Sequence, residues 1–386
     1  MNAADARSLD LLLEETPAAA ERRERAALDQ EVEGCSGLVL FGCGQLGRKL
    51  ARALQSAGRP VLAFADNSEG KWGTVVEGLP VLSPREAAAR YGDRAAFVAT
   101  IWSSRHRFLD TRAQLEALGC RRILSFMLVL WAYPGILPHY QFERPSVLLS
   151  QAERIRAGFS LWADEVSRSH FLSHLRWRLN LDFAGLPTPT PKDQYFVEGL
   201  LPERPGGLFV DGGAYDGDTL QLMRACRGDG FGRYLAIEPD PVNFSKLQAY
   251  WETLPAEVRA RVELIPAALS DRDGEAAFDA VGATRAALTE DGSTRVRTVA
   301  LDGLLPPEGR WYIKLDLEGG ERLALEGGRD HIRRAAPDLA VCVYHRPFDL
   351  WELPLLVHRW QPGYRFHLRT HDEEGLEIVA YATTGV

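Results

Sequence analysis

Three segments constrain the fold of this chain more than any others. They are LFVDGGAYDGDT from Leu208, IEPD at Ile237–Asp240 and YIKLDLEGGE at Tyr312–Glu321. Each is a short apolar run that stops on glycine or on acidic residues. In a parallel α/β sheet such ends collect along one edge, and ligands bind in the crevice there. Gly212 and Gly213 permit a close turn after the first run, and Gly217 keeps the following helix entry open. The spacing predicts a nucleotide-like cofactor on a mostly parallel sheet.

The acids narrow the choice of cofactor. Asp211 at the turn repels a phosphate, whereas a cationic ligand suits it. S-adenosylmethionine carries an ammonium in its amino-acid tail and has no phosphate. Asp211 could hold that tail directly or through water. Glu238 follows after one helix and one strand, and its two oxygens can accept from both hydroxyls of a ribose.

At 386 residues the chain is long enough for two domains, and 46% hydrophobic with 25% charged residues is ordinary for a soluble protein. A net charge of −8 argues against nucleic acid as a partner. Five scattered cysteines give neither zinc spacing nor a disulfide framework, so a reducing compartment fits. The N-terminus lacks an apolar signal core, and the run from Ser125 to Leu137 is too short and Pro-broken to span a membrane. The expected location is cytoplasmic.

The pattern along the chain predicts four segments: a helical extension at 1–34, a smaller Rossmann-like α/β domain at 35–130, a helical bridge with a Pro-rich linker at 131–204, and the main domain at 205–386. In the smaller domain LVLF is followed by GCGQLG, a helix, and PVLAFAD. Gly42, Gly44 and Gly47 have the spacing that lets backbone approach a pyrophosphate, with Asp66 where a ribose acid would lie. An NAD-dependent oxidoreductase is therefore the alternative reading, as is a non-catalytic sugar- or nucleotide-binding protein. The lone glycine pattern is weak, and no hydride-transfer constellation accompanies it. The N-terminal helices and the apolar 146–180 region suit a homodimer.

In the main domain seven runs predict strands: LFVD, RYLAIEP, VELIPAAL, WYIKLD, LAVCVYH, YRFHLRTH and EIVAYAT. Only DEEGL joins the last two, so they should form an antiparallel hairpin at the end of the sheet.

The ordered set VDGGAYDGDT, EPDPVNF, AALSD, TVALDGLL, IKLDLEGGE and VYHRPFDLWELP resembles the FkbM family of S-adenosylmethionine-dependent methyltransferases. The resemblance runs over roughly residues 205–385. It implies a class I methyltransferase fold, with a Rossmann-like, mostly parallel seven-stranded sheet, and methyl transfer to oxygen on a sugar-containing or small-metabolite acceptor. It also implies site residues: Asp211, Gly213 and Tyr215 at the donor-binding turn, Glu238 at the ribose, Ala268, Leu269 and Ser270 beside the adenine, and Asp316 near the transferred methyl. The FADN–KWG–GLPVL pattern of the smaller domain resembles Rossmann-like modules of sugar-modifying enzymes, which implies an accessory or substrate-side role.

His345 ends the next strand at the same sheet edge, and an imidazole can accept a hydroxyl proton near neutral pH. It is the expected general base, with Asp316 orienting it or serving as base itself. Lys314 alternates with Asp316 and Glu318, so it could pair with Asp316. Glu321 could face solvent or cap a helix. Gln194, Tyr195 and Phe196 could line the opening, and Arg369 and His371 could hold a substrate anion. Asp316 with Glu318 could bind a divalent metal, but the Asp–Asn pair of catechol-type enzymes is absent near His345. The reading at this point takes no metal.

Overall fold

The structure, a computed structural model, describes residues 3–136, 141–190, 193–201, 206–279, 287–288, 294–306, 309 and 311–385. The chain divides into two compact units. One comprises 1–153, 169–189 and 372–376, and the other 154–168, 190–371 and 377–386. The 131–204 segment is thus shared between the units. The turn expected at Pro138 and the domain start expected at Pro205 fall outside the described residues.

The first unit contains β1 (Leu38–Phe41), β2 (Val61–Ala65), β3 (Val75–Val76), β4 (Leu79–Leu82), β5 (Ala96–Ala99) and β6 (Arg122–Ser125). Their order is β3-β4-β2-β1-β5-β6, parallel except for the β3–β4 hairpin. Alternation along β1 explains why both faces are covered. Leu38 and Leu40 join one core with Leu50, Val98 and Val129, while Val39 and Phe41 join another with Phe97 and Leu115. The apolar run after Ser125 forms the buried helix Phe126–Ala132, whose N-terminus the Ser125 hydroxyl caps. Among the described residues no helix is long and apolar enough to cross a membrane.

The second unit contains β7 (Leu208–Gly212), β8 (Arg233–Ile237), β9 (Val262–Ile265), β10 (Ala268–Leu269), β11 (Gly274–Asp279), β12 (Ala287–Leu288), β13 (Thr294–Val299), β14 (Trp311–Leu315), β15 (Asp338–Cys342), β16 (Arg365–Thr370) and β17 (Ile378–Thr383). The seven-stranded sheet runs β16-β17-β15-β14-β7-β8-β9, with β17 antiparallel to both its neighbours. Numbered within this sheet and read from β9, the order is 3-2-1-4-5-7-6, the mostly parallel class I methyltransferase arrangement. Sheet order reverses direction beside β7 and β14, which places their C-terminal ends at the switch point. The expected strand VELIPAAL is in fact split. Pro266 ends β9, and Ala268–Leu269 leaves to join a separate sheet ordered β10-β13-β11-β12, which sequence reading did not anticipate.

The register across the switch point matters for the site. Lys314 on β14 lies directly beside Asp211 on β7.

Candidate active site

A cleft opens at the C-terminal ends of β7, β8 and β14. Its walls include Gly213, Tyr215, Asp218, Glu238, Ala268, Leu269, Phe278, Lys314, Asp316, Glu318, Gln194, Tyr195, Tyr344 and Glu377.

The floor is a buried ion pair. Lys314 Nζ sits 3.0 Å from Asp211 Oδ1 and donates to the Gly213 carbonyl at 2.7 Å. Tyr234 donates its hydroxyl to the other Asp211 oxygen at 2.6 Å. Burial opposes the lysine's charge, but Asp211, Asp316 and Asp218 outweigh it and raise its pKa. Asp211 is fully buried. Its carboxylate is engaged by Lys314 and Tyr234, partners that the sequence did not reveal. Lys314 likewise pairs with Asp211 across the sheet rather than with Asp316 along its own chain.

Above this pair the turn takes left-handed backbone at Gly213 (φ 77°), Tyr215 (φ 47°) and Gly217 (φ 91°). At Gly213 no side chain fits, because a Cβ would lie 1.9 Å from the Asp316 carbonyl oxygen. The turn delivers the Tyr215 amide to Glu238 Oε2 at 3.0 Å. The EPDP sequence supplies the second hold. Pro241 opens the helix Pro241–Glu252, Asp240 caps it by accepting from the amides of Val242 and Asn243, and the Asp240 amide donates to Glu238 Oε1 at 2.8 Å. Each Glu238 oxygen therefore holds one backbone amide and keeps acceptor capacity toward the cleft. Burial pushes its carboxyl up to about 7. Ala268 and Leu269 line the cleft beside Ile237 and Phe278. Ser270 does not; it is buried, with its hydroxyl on Asp271 at 3.2 Å.

A second cluster forms where β14 and β15 end. Tyr195 donates its hydroxyl to Asp316 Oδ2 at 2.9 Å. His345 Nδ1 faces Glu321 Oε1 at 2.8 Å, while Nε2 lies 3.5 Å from Asp316 Oδ1 and 3.8 Å from Glu318 Oε2. Glu321 is fully buried, which overturns its expected solvent-facing role; it also accepts from the Leu317 amide at 2.7 Å. Burial favours neutral imidazole, but Glu321, Glu318 and Asp316 outweigh it and push His345 up to about 10. That direction weighs against the general-base role expected of His345 from sequence. Gln194 and Tyr344 donate to Glu377 at 2.5 and 3.0 Å. Burial and the charge of Asp316 raise the Glu377 carboxyl to about 7. Glu377 was not singled out in sequence, since it belongs to the hairpin joining β16 to β17 and no motif marks it.

Other expected site residues are structural. Phe196 is buried against Phe209 and Tyr312. Arg369 pairs with Asp164 at 2.8 Å, and the His371 ring sits between the Thr190 carbonyl at 2.6 Å and the Tyr381 hydroxyl at 2.7 Å. In the first unit Asp66 accepts from the amides of Cys43 (2.7 Å) and Ser68 (2.8 Å) and from Lys71 Nζ (2.9 Å). It ties the glycine turn to its own loop. A Cβ at Gly47 would lie 2.0 Å from the Gly42 carbonyl oxygen, so this glycine serves close packing of helix on turn.

Residues 211–368 match the family model of the methyltransferase FkbM domain. This segment has the FkbM methyltransferase fold. Outside it, three of the residues facing the FkbM-type cleft, Gln194, Tyr195 and Glu377, come from the flanking chain. Among solved structures, a methyltransferase FkbM from Methylobacillus flagellatus KT is similar over 98% of this chain and 98% of its own, with a TM-score of 0.76 at 21% identity. At that identity the likeness shows the fold. The CurJ carbon methyltransferase aligns over 63% of this chain and 70% of its own at 13% identity, but its TM-score of 0.27 carries no argument. No curated protein matches the sequence.

Proposed function

We propose that this chain transfers a methyl group from S-adenosylmethionine to a hydroxyl of a sugar-containing or small-metabolite acceptor. The observation that carries the reading is Glu238, fixed by two backbone amides with lone pairs left toward the cleft. That is the acceptor set a ribose diol needs. Ala268, Leu269, Ile237 and Phe278 offer apolar surface for an adenine, and the Gly213–Tyr215 turn offers close backbone to the amino-acid tail. When bound, S-adenosylmethionine supplies a methyl on a sulfonium, and its transfer breaks the S–CH3 bond as the O–CH3 bond forms. The protein's task is then chiefly alignment. Asp316 is the cleft carboxylate suited to orient the acceptor hydroxyl and draw its proton, with Tyr195 holding one of its oxygens. His345 supports it as a fixed neighbouring cation.

Calorimetry with S-adenosylmethionine and with NAD, each on wild type and Glu238→Ala, tests this. Micromolar donor affinity, about −8 kcal/mol, is expected for the wild type and should be lost in the variant. NAD binding alone, indifferent to Glu238→Ala, would sink the proposal.

The Glu238 carboxyl near 7 gives a second expectation. Ribose hydroxyls donate to its ionised form, so donor affinity should be about tenfold weaker at pH 6 than at pH 8. In the free protein the sign reverses. The raised carboxyl contributes stability that is present below its unfolded pKa and is lost as pH rises through about 7. Glu238→Gln should flatten both profiles, and a binding profile unchanged by that substitution would contradict the role.

A further inference from the structure

The cluster at the ends of β14 and β15 has one atom that the fold does not use. His345 is 5% exposed, and among the described residues no group hydrogen-bonds its Nε2. The nearest polar atoms are Asp316 Oδ1 at 3.5 Å and Glu318 Oε2 at 3.8 Å, both too far for an ordinary hydrogen bond. Two ligands of one divalent ion, each about 2.1 Å from it, stand ~3.0–3.4 Å apart, depending on geometry. The two separations from Nε2 are only slightly wider.

The opposite side of the imidazole is built as metal-binding histidines are built. Nδ1 faces the buried Glu321 carboxylate at 2.8 Å, which keeps a proton on Nδ1 and aims Nε2 outward, and an ion bound at Nε2 would displace to solvent the proton that nitrogen carries in the metal-free protein. The Leu317 amide in turn holds Glu321 in place. A carboxylate behind the ring is the usual outer partner of a ligating histidine. Asp316 keeps Oδ1 for the same point, because Tyr195 occupies Oδ2. Asp316 and Glu318 line the cleft, so an ion held there would meet an acceptor.

We propose that His345 Nε2, Asp316 and Glu318 form a divalent-cation site, with Glu321 as its positioning residue. One nitrogen with two carboxylates favours a first-row ion such as Mn2+ or Zn2+ over Ca2+ or Mg2+. Glu318 moves in by side-chain rotation to complete the set. The ion's role rests on the methyl-transfer reading, whereas its binding does not. An acceptor hydroxyl ligated to the ion loses its proton to water more readily, and Asp316 then serves as ligand rather than base. This reverses the metal-free expectation drawn from the missing Asp–Asn pair. The donor set here comes from the β14 turn and the end of β15 instead.

The test is a titration of the EDTA-stripped full-length protein with MnCl2, following free Mn2+ by electron paramagnetic resonance. Saturation at one ion per chain is expected. Asp316→Asn and Glu318→Gln should each weaken binding at least tenfold, and Glu321→Gln should weaken it about 10–100-fold with all three ligands retained. Circular dichroism melting of each variant reports on folding, and Glu318, on the cleft wall, is the substitution least coupled to the core. No saturable binding up to millimolar Mn2+, or binding indifferent to Asp316→Asn and Glu318→Gln in folded protein, overturns the site. Calorimetry with S-adenosylmethionine on the same preparation separates the two proposals. Donor binding without Mn2+ binding sinks only the ion. Mn2+ binding without donor binding leaves the site standing and sinks the methyl-transfer reading.

Discussion

Replacing Lys314 by Met should lower the stability of the protein by about 3–5 kcal/mol, the cost of leaving a buried carboxylate without its counter-charge. Asp211 is fully buried and pairs with Lys314 at 3.0 Å, and the same ammonium ties down the Gly213 carbonyl. Both consequences follow from one deletion: a charge stranded in the core and a glycine turn without its anchor. Urea unfolding followed by tryptophan fluorescence measures the loss. Adding Asp211→Asn to Lys314→Met should restore a large part of it, since the stranded charge is then gone. A change below about 1 kcal/mol in the single variant, the size of an ordinary surface pair, would mean that the pair does not carry the turn.

Gly213→Ala should abolish binding of S-adenosylmethionine with a comparable stability loss. The new Cβ would stand 1.9 Å from a backbone oxygen, at a residue whose φ is 77°. Left-handed backbone costs a non-glycine residue about 1–2 kcal/mol and overpacking about 1–3 more, so about 2–5 kcal/mol in total. Relief requires β7 and the Asp316 segment to part, which displaces the Tyr215 amide from Glu238. The control is Gly44→Ala in the first unit. Nothing lies within 4 Å of a Cβ there, so stability should be unchanged within about 0.5 kcal/mol. Wild-type donor affinity in a folded Gly213→Ala protein, read by calorimetry, would refute the role given to the turn.

These two positions also show how far the sequence could be read. An acid followed by two glycines at the end of an apolar run announced the turn, and Glu238 stood one helix and one strand further on, where a parallel sheet must bring it alongside. Those are local signals combined with a topological rule, and the seven strands follow from the same logic. The partner of Lys314 was not legible. Period-two alternation put it on a face with Asp316, but β14 ends at Leu315, and the true neighbour comes from register with β7, which only the assembled sheet defines. The burial of Asp211 and its contacts with Lys314 and Tyr234 were hidden in the same way. His345 was expected to end its strand, whereas β15 stops at Cys342, and its charge depends on Glu321, Glu318 and Asp316, brought together by the turn after β14. The small sheet of β10–β13 escaped notice because Ala268–Leu269 continues an apolar run that looks like one strand until Pro266 divides it.

The hydroxyl on Asp316 belongs to Tyr195, and Gln194 and Glu377 also face the cleft, though all three lie outside residues 211–368. A chimera that exchanged only that span between two such proteins would therefore be a hybrid at this cleft. It would inherit Glu238 and the His345 cluster from one parent and part of the cleft wall from the other. A fragment beginning at residue 205 would keep the sheet and lose the phenol that holds Asp316.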